Sequence, residues 1–317
     1  MSTRRRLALG GLALGAAGVV AGVVALQRAN ARWAGATDPC APADYEPLDG
    51  SSFSVTTSDG AVLAAGQAGH GPWVVLAHGW TNTAAVWRPV AHRLVAQGFR
   101  AVWWDQRGHG DSTVGRDGYG IDRLGADLGE VMAHLEVRDA ILVGHSMGGM
   151  TVQALATYQP QEFAARARGA LLVATASTGL SRGHLDAQAV ALMGSALPAL
   201  AVGSPLGLAL VRGTVGATVV RDHVMQVRDW FLHTPAATRG EFLRSMLAMD
   251  LSQGIATIAV PTTVMVGTRD RTTPPRMSEQ IAEAVPGARL VRSEGHGHML
   301  PLEAPDEVVA EIVRLAG

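Results

Sequence analysis

Short apolar runs alternate with longer amphipathic stretches from residue 51 to the C-terminus. Runs that are apolar throughout predict strands buried on both faces, as in a parallel sheet covered by helices. Eight strands are predicted, at Phe53–Thr57, Ala61–Gly66, Trp73–Ala77, Arg100–Asp105, Ala140–Gly144, Ala170–Thr175, Thr262–Gly267 and Ala288–Ser293. Helices are predicted between and after them, at Ala84–Ala96, Ile121–Leu135, Met147–Tyr158, Arg276–Ala284 and Ala304–Ala316. The alternation predicts an α/β fold built from βαβ units.

One interval, Thr178–Ala259, breaks this rhythm because it contains no strand pattern. It has helical character, interrupted at "ALPAL", "GSPLG" and "HTPAA", where proline and glycine end or start helices. We interpret residues 178–259 as a helical cap inserted after the sixth strand. Its apolar side chains either line a pocket or hold the cap helices together. Packing is the simpler role for any single one of them.

The N-terminus differs in composition from the rest of the chain. Arg4–Arg6 precede an uncharged stretch, Leu7–Leu26, whose 20 residues would span about 30 Å as a helix. Residues 1–35 are therefore predicted to be a retained membrane anchor or an export signal cleaved after "ANA" at Ala29–Ala31. A third reading is an ordinary buried helix. The arginines before the stretch place the folded domain outside the cytoplasm in the first two cases.

The remaining division follows from these boundaries. Residues 36–50, rich in Pro, Asp and Gly, are predicted to be a linker, and residues 51–177 and 260–317 form the α/β core. The 317 residues are 48% hydrophobic and 17% charged, with a net charge of −1. That balance leaves no basic surface for nucleic acid. A single cysteine, Cys40, excludes an internal disulfide framework.

The stretch "DAILVGHSMGG" carries a candidate nucleophile, Ser146, in the pattern Gly-x-Ser-x-Gly. It follows a predicted strand and opens a predicted helix. A serine on such a sharp turn has a strained backbone, and the flanking Gly144 and Gly148 let neighbouring elements approach without Cβ clashes. The helix N-terminus also favours negative charge developing beside the serine.

A serine hydroxyl is a weak nucleophile at neutral pH, so this reading requires a base and a group that orients it. Asp270 follows the strand "TTVMVG", and two histidines, His296 and His298, follow the last strand. The carboxyl ends of parallel strands meet at one edge of a sheet, so the serine, the carboxylate and a histidine are expected to converge there. The residues alone leave the choice between the two histidines open.

From the first strand to the C-terminus, the chain resembles an α/β-hydrolase with a helical cap. The resemblance lies in "LAHGWTNTAAVW", "WDQRGHGDS", "VGHSMGG", "VGTRD" with "TTPP", and "GHMLPLEAP". It implies a mostly parallel, eight-stranded sheet flanked by helices. The family's histidine precedes four residues and then Glu-x-Pro, which selects His298, followed by Glu303 and Pro305.

The same resemblance implies the remaining roles at the site. The backbone N–H groups of Trp80 and Met147 are expected to form the oxyanion hole. His78 and Arg107 are expected to brace the surrounding loops. Asp105, which also ends a strand, is expected to be structural, leaving Asp270 as the acid of the triad.

A Ser146–His298–Asp270 triad implies hydrolysis of a carboxylic ester or related acyl compound, of carboxylesterase or lipase type, through an acyl-enzyme. No metal or organic cofactor is expected, and the partner is a small, apolar ester or acyl substrate. Relatives with epoxide hydrolase or dehalogenase activity carry Asp in place of the serine, which argues against both. Two alternatives stay open: perhydrolysis, as in cofactor-free haloperoxidases, and a non-catalytic protein that binds an apolar ligand. The natural substrate and the oligomeric state are not predicted.

Overall fold

The computed structural model describes residues 37–181, 183–204, 207, 211–213, 215–216 and 220–317. The predicted anchor or export signal, residues 1–35, lies outside the described residues. Within them, no single helix is long and apolar enough to cross a membrane. One bent pair, Gly183–Met193 and Leu197–Gly203, meets that test jointly, with an angle of 72° between its halves.

Eight strands form one sheet in the order β1-β2-β4-β3-β5-β6-β7-β8. The strands are β1 Ser51–Thr56, β2 Val62–Gly69, β3 Trp73–Ala77, β4 Arg100–Trp104, β5 Ala140–His145, β6 Ala167–Val173, β7 Thr262–Gly267 and β8 Arg289–Ser293. β2 runs antiparallel to both of its neighbours, and all the other pairs are parallel. The mostly parallel, eight-stranded sheet predicted for the chain is therefore confirmed.

Helices follow most of the strands and cover both faces of the sheet. The helices of the core are Arg88–Ala96, Ile121–His134, Met147–Tyr158, Pro160–Arg166, Pro275–Ala284, Leu300–Glu303 and Pro305–Ala316. In β5, Ala140 and Leu142 pack into one apolar cluster, whereas Ile141 and Val143 pack into a second. Alternate residues of a strand point to opposite faces, so the uninterrupted apolar run reflects burial on both sides.

The predicted helix Ala84–Ala96 is divided in the structure. Residues Ala84–Trp87 form a 3-10 turn, capped by the Thr83 side chain, and the α-helix begins only at Arg88. Pro89 lies in the first turn of that helix. Proline has no N–H to donate and therefore suits a helix start better than a helix interior.

The interval between β6 and β7 carries a 3-10 turn, Gly183–Leu185, and a series of helices. Its described helices are Asp186–Met193, Leu197–Gly203, Arg221–His233, Ala236–Ala248 and Ser252–Ile255. Two of them meet at "HTPAA", where one ends at His233 and the next begins at Ala236. The described part of this interval holds no strand, so the helical character predicted for it is present.

Candidate active site

Ser146 stands between the end of β5 and the first residue of the helix Met147–Tyr158, with φ 53° and ψ −118°. Positive φ is uncommon for a residue with a side chain and marks stored backbone strain. A Cβ on Gly144 would lie 2.2 Å from the Gly148 carbonyl oxygen, and one on Gly148 would lie 2.1 Å from that of Ala77. Only glycine allows the helix to start this close to the sheet.

Hydrogen bonds hold the serine backbone on both sides. The Ser146 N–H donates to the Val173 carbonyl at 2.9 Å, and the Thr175 hydroxyl donates to the Ser146 carbonyl at 2.7 Å. Both partners come from the end of β6 and the residues just after it. The neighbouring strand therefore fixes the direction in which the serine side chain leaves the turn.

Asp270 and His298 are joined by a hydrogen bond of 2.8 Å between Oδ2 and Nδ1. Asp270 also accepts the N–H groups of Thr272 and Thr273 and the Thr273 hydroxyl, at 2.8 to 3.0 Å. Burial raises the pKa of Asp270, but the His298 charge and these hydrogen bonds outweigh it and leave the pKa below its ordinary value. The carboxylate therefore stays ionised beside the imidazole.

His296 occupies a different environment from His298. Its Nδ1 lies 2.7 Å from the Ser293 hydroxyl, which in turn donates to Glu307. The structure thus brings His298, rather than His296, to Asp270. This is the arrangement expected from the resemblance, and the catalytic role of either histidine stays a prediction.

Two side chains, those of His145 and Glu303, bond to the backbone of the loop that carries His298. His145, the residue before the serine, donates its Nε2–H to the His298 carbonyl at 2.7 Å. Burial, reinforced by the His298 charge, lowers the pKa of His145 to about 3, so this ring stays neutral. The Glu303 carboxylate accepts the N–H groups of Gly297 and Met299 at 2.8 and 2.9 Å, on either side of His298.

The sequence did not indicate these supporting roles of His145, Glu303 and Thr273. Glu303 served only as a spacing marker for His298. The pair Thr272–Thr273 carried a usable signal, because an aspartate often accepts N–H groups two and three residues further on in a turn. His145 carried none, since its partner is 153 residues away along the chain.

Ser146 and His298 line the same cavity. Among the hydrogen bonds of the described residues, none involves the Ser146 hydroxyl, so the two side chains share a wall without being bonded. Such contacts in active sites are often long before substrate binds and shorten in the complex.

The turn after β3 passes directly against Ser146. A Cβ built on Gly79 would lie 3.2 Å from the Ser146 Cβ. The next residue is Trp80, whose N–H donates to no carbonyl of the described residues. Met147 opens its helix, so its N–H has no acceptor within it. These two N–H groups flank the serine and are the expected oxyanion-hole donors.

The two residues expected to brace the site, His78 and Arg107, are buried, and both, like Asp105, bond to neighbouring loops. Arg107 is fully buried and pairs with Asp59 and Asp127 at 2.9 and 2.7 Å. Asp105 accepts the N–H groups of Ala84 and Asp111. His78 donates Nδ1–H to the Gly79 carbonyl and accepts the Gln106 N–H, both at 2.8 Å.

The cavity at Ser146 has a volume of about 500 Å³, within the range of small-molecule sites. The cap helices form most of its roof. Its lining residues are Trp80, Thr81, Asn82, Ser146, Leu192, Met193, Leu197, Pro198, Ala201, Val202, Val211, Val227, Phe231, Thr272, His298 and Met299. Apolar side chains dominate, which suits an apolar ligand with its reacting group at the serine.

One group among the described residues could hold a metal ion. Asp38, Cys40 and His223 bring their ligand atoms within 4.8 Å of one another. The Tyr45 hydroxyl already bonds Asp38 at 3.0 Å and His223 at 2.5 Å. These residues hold the segment before β1 to the cap and line neither cavity that reaches Ser146.

The sheet, its flanking helices and the turn at Ser146 define the architecture of an α/β-hydrolase, and comparison with known proteins gives the family. A model of the alpha/beta hydrolase family matches residues 74–311. The chain belongs to that family.

Relatives and solved structures extend this assignment. The chain is 27% identical to a non-heme haloperoxidase of Rhodococcus erythropolis over 272 residues, which cover 82% of this chain and 97% of that protein. It is 38% identical to the non-heme chloroperoxidase CPO-A1 of Kitasatospora aureofaciens over 118 residues, which cover 37% of this chain and only 42% of that relative. A hydrolase from Pseudomonas aeruginosa is similar in structure, with TM-score 0.72 and 28% identity, covering 85% of this chain and all of that one.

Proposed function

We propose that the protein hydrolyses carboxylic esters through an acyl-enzyme formed on Ser146. The observation that carries this proposal is the 2.8 Å bond between Asp270 and His298, at the wall of the apolar cavity that Ser146 also lines. Membership of the alpha/beta hydrolase family supports it. A carboxylesterase or lipase-like activity on a small apolar ester follows from the cavity.

In the first half of the reaction, Ser146 attacks the ester carbonyl while His298 takes its proton. Asp270 holds Nδ1–H of the imidazole, which keeps Nε2 free as the base and stabilises the imidazolium that forms. The N–H groups of Trp80 and Met147 would bind the negative oxygen of the tetrahedral intermediate. His298 then gives its proton to the departing alkoxide.

In the second half, water attacks the acyl-enzyme. His298 removes a proton from the water, the Ser146 oxygen leaves, and the acid is released with the site restored. Apart from the ester and the water, the two halves use only groups of this chain.

A fluorophosphonate probe tests the nucleophile directly, because it phosphonylates a serine activated by a neighbouring base. Purified wild-type protein should be labelled by the probe and lose its activity toward p-nitrophenyl esters. The Ser146→Ala variant should not be labelled and should have no such activity from the start. Equal labelling of both proteins would overturn the assignment of Ser146. No labelling of the wild type would favour the binding-protein alternative.

The base is tested by a matched pair of histidines. His298→Ala should abolish ester turnover, and His296→Ala should retain most of it, because His296 contacts Ser293 instead of Asp270. The reverse result would move the role to His296.

A second activity is suggested by the two haloperoxidase relatives. We propose that hydrogen peroxide competes with water for the acyl-enzyme, so that the acyl group leaves as a peracid and Ser146 regains its proton. Adding peroxide to an acetate ester should then yield peracetic acid, and Ser146→Ala should yield none above background. Peracid formation that survives this substitution would exclude the route through the acyl-enzyme.

We also propose that residues 1–35 bring the catalytic domain to the extracytoplasmic side of a membrane. The support is the uncharged stretch Leu7–Leu26 behind three arginines. Fractionation of cells that express a C-terminally tagged chain tests this, and the size of the product separates a retained anchor from a cleaved signal. Full-length protein in the soluble cytoplasmic fraction would refute the proposal.

A further inference from the structure

Ser146 lies where two separate apolar cavities meet. The larger, of about 500 Å³, was described above, and the smaller has a volume of about 270 Å³. Trp80, Ser146 and Thr272 line both. An ester also has two arms, the acyl chain and the alcohol chain, which diverge from the carbonyl carbon that the serine attacks. Each cavity can therefore receive one arm.

The histidine decides which arm enters which cavity. His298 must pass its proton to the oxygen of the leaving alcohol, so that oxygen lies within hydrogen-bond reach of the ring. His298 lines the large cavity and does not line the small one. The alcohol arm therefore continues along the large cavity, and the acyl arm turns toward Met150 and Met246 in the small one.

The lining of each cavity sets the chemistry of its arm. Among the described residues that line the large cavity there is no Asp, Glu, Lys or Arg. Among the described residues that line the small cavity, Asp186 is the charged one, and the others carry apolar or aromatic side chains or hydroxyl groups. A carboxylate on the acyl chain would lose its hydration there, so an uncharged acyl chain is favoured.

We propose that the preferred substrate is an ester of a short, uncharged acyl group with a longer apolar alcohol. This inference rests on the ester hydrolysis proposed above. It adds the orientation of the substrate, with the acyl chain in the small cavity and the alcohol chain in the large one. Each methylene that enters a cavity should raise kcat/KM about fourfold until that cavity is full. The acyl series should therefore reach its maximum at a shorter chain than the alcohol series.

Two alanines of the cap provide a matched pair of variants. Ala189 lines only the small cavity and Ala201 only the large one, on neighbouring helices. Ala189→Trp should lower kcat/KM about tenfold for hexanoate esters of methanol and leave hexyl acetate nearly unchanged. Ala201→Trp should do the opposite. Methyl acetate, which is small enough for both variants, reports whether each has kept its fold and its catalytic groups.

The experiment measures kcat/KM for methyl esters of increasing acyl length and for acetates of increasing alcohol length, with wild type and both variants. The expected result is a short acyl optimum, a longer alcohol optimum and the crossed effect of the two substitutions. Ala189→Trp acting on the alcohol series, or equal optima in wild type, would overturn the inference while ester hydrolysis stands. Absence of both turnover and fluorophosphonate labelling would instead refute the proposed function, and the inference with it.

Discussion

The backbone of Ser146 is held in a conformation that few residues with side chains adopt, and its neighbours explain how. The helix after it starts so close to β3 that a Cβ on Gly148 would meet two backbone oxygens, of Ala77 at 2.1 Å and of His78 at 2.7 Å. Backbone atoms cannot rotate aside as a side chain can. The position of Ser146 therefore depends on the absence of a Cβ at residue 148.

Gly148→Ala should consequently displace the helix from β3 and move Ser146 with it. We expect the free energy of unfolding to fall by about 3 kcal/mol and kcat/KM to fall about 100-fold, since a shift of about 1 Å has that effect on catalysis. Denaturant unfolding and p-nitrophenyl ester turnover measure the two losses. The control is Gly203→Ala, where an added Cβ meets nothing within 4 Å. Equal effects of the two substitutions would contradict the steric explanation.

Asp270 is ionised and bonded to Nδ1 of His298, so its charge and its acceptor oxygen act together. Asp270→Asn keeps the size of the side chain but removes the charge and allows the wrong imidazole tautomer. We expect kcat/KM to fall about 10,000-fold. Asp105→Asn is the matched control, because Asp105 accepts backbone N–H groups of loops and does not touch His298. A comparable loss in both variants would show that Asp270 has no special role.

The protonation of His78 makes the stability of the folded protein depend on pH. Burial lowers its pKa to about 4, although its hydrogen bond to the Gly79 carbonyl opposes the shift. Between pH 6.5 and 4 the unfolded chain binds a proton at this residue that the folded protein does not. The contribution of neutral His78 to the free energy of unfolding is therefore fully present above pH 6.5. It is lost as the pH falls toward 4, by about 1.4 kcal/mol per pH unit.

Replacing this histidine should remove that slope. Unfolding free energies of wild type and His78→Gln, measured in urea at several pH values, should approach each other by about 1.4 kcal/mol per unit between pH 6 and 4.5. The comparison cancels the other titrating groups, including the buried carboxyls whose pKa is raised. Between pH 7 and 8 the two curves should run parallel. Parallel curves over the whole range would mean that the pKa of His78 is the same in the folded and unfolded protein, which would contradict the effect of burial.

Between elements, Glu303 joins the His298 loop to the cap. Its carboxylate accepts the N–H groups of Gly297 and Met299 in that loop and, at 2.7 Å, the N–H of Gly216 in the cap. The Glu303 side chain therefore helps to position both the loop that carries His298 and the part of the cap around Gly216. Burial raises the pKa of Glu303 above its ordinary value, although these three N–H donors oppose the shift.

Glu303→Gln should uncouple the two elements, because its NH₂ group would face an N–H donor in place of an acceptor oxygen. We expect a loss of about 1 to 3 kcal/mol in the free energy of unfolding and a lower kcat, since the carboxylate holds the N–H groups on both sides of His298 and Gln would lose at least one of them. Glu307→Gln, on the next helix, is the control, because its carboxylate contacts the Ser293 hydroxyl and Nδ1 of His296, at 2.6 and 3.9 Å, instead of the N–H groups beside His298. An unchanged kcat in Glu303→Gln would limit Glu303 to holding the cap.

The elements also show what local sequence patterns can predict. β7 begins and ends at the predicted residues, whereas β2 continues to Gly69 and β6 begins at Ala167. Gly69 is a strand residue because it pairs with Arg100 of β4, a contact that no local pattern contains. The helix Pro160–Arg166 was not predicted either, although Pro160 in its first turn is a local signal of a helix start.

The candidate site shows the same difference between features that the sequence predicts and features that depend on long-range contacts. Strand order alone placed Ser146, Asp270 and a histidine at the ends of three strands. The choice of His298 over His296 came from the family resemblance. It did not predict that Glu303 bonds a cap residue, or that Ala189 and Ala201 line different cavities. Those facts depend on how cap helices lie over the sheet, and an apolar helix face packs against any complementary apolar surface.

In the whole molecule, the segment before β1 contacts both the core and the cap. The Tyr45 carbonyl accepts Arg88 at 2.8 Å, and its hydroxyl bonds His223 on the cap helix Arg221–His233. Asp44 pairs with Arg93 at 3.0 Å. His223 is almost fully buried, so removal of this segment would leave its Nε2 without these partners.

A chain that begins at residue 50 should therefore be less stable than one that begins at residue 37. We expect a loss of about 3 kcal/mol from the broken hydrogen bonds and ion pair, or about 6 to 12 °C in Tm, measured by calorimetry. Tyr45→Phe in the longer chain should reproduce about 1 kcal/mol of it, because the change removes only the hydroxyl, while Asp38 still lies 3.3 Å from Nε2 of His223. Identical Tm values for the two chains would show that the segment only passes over the surface, and that the cap holds its position over the two cavities through its own helices.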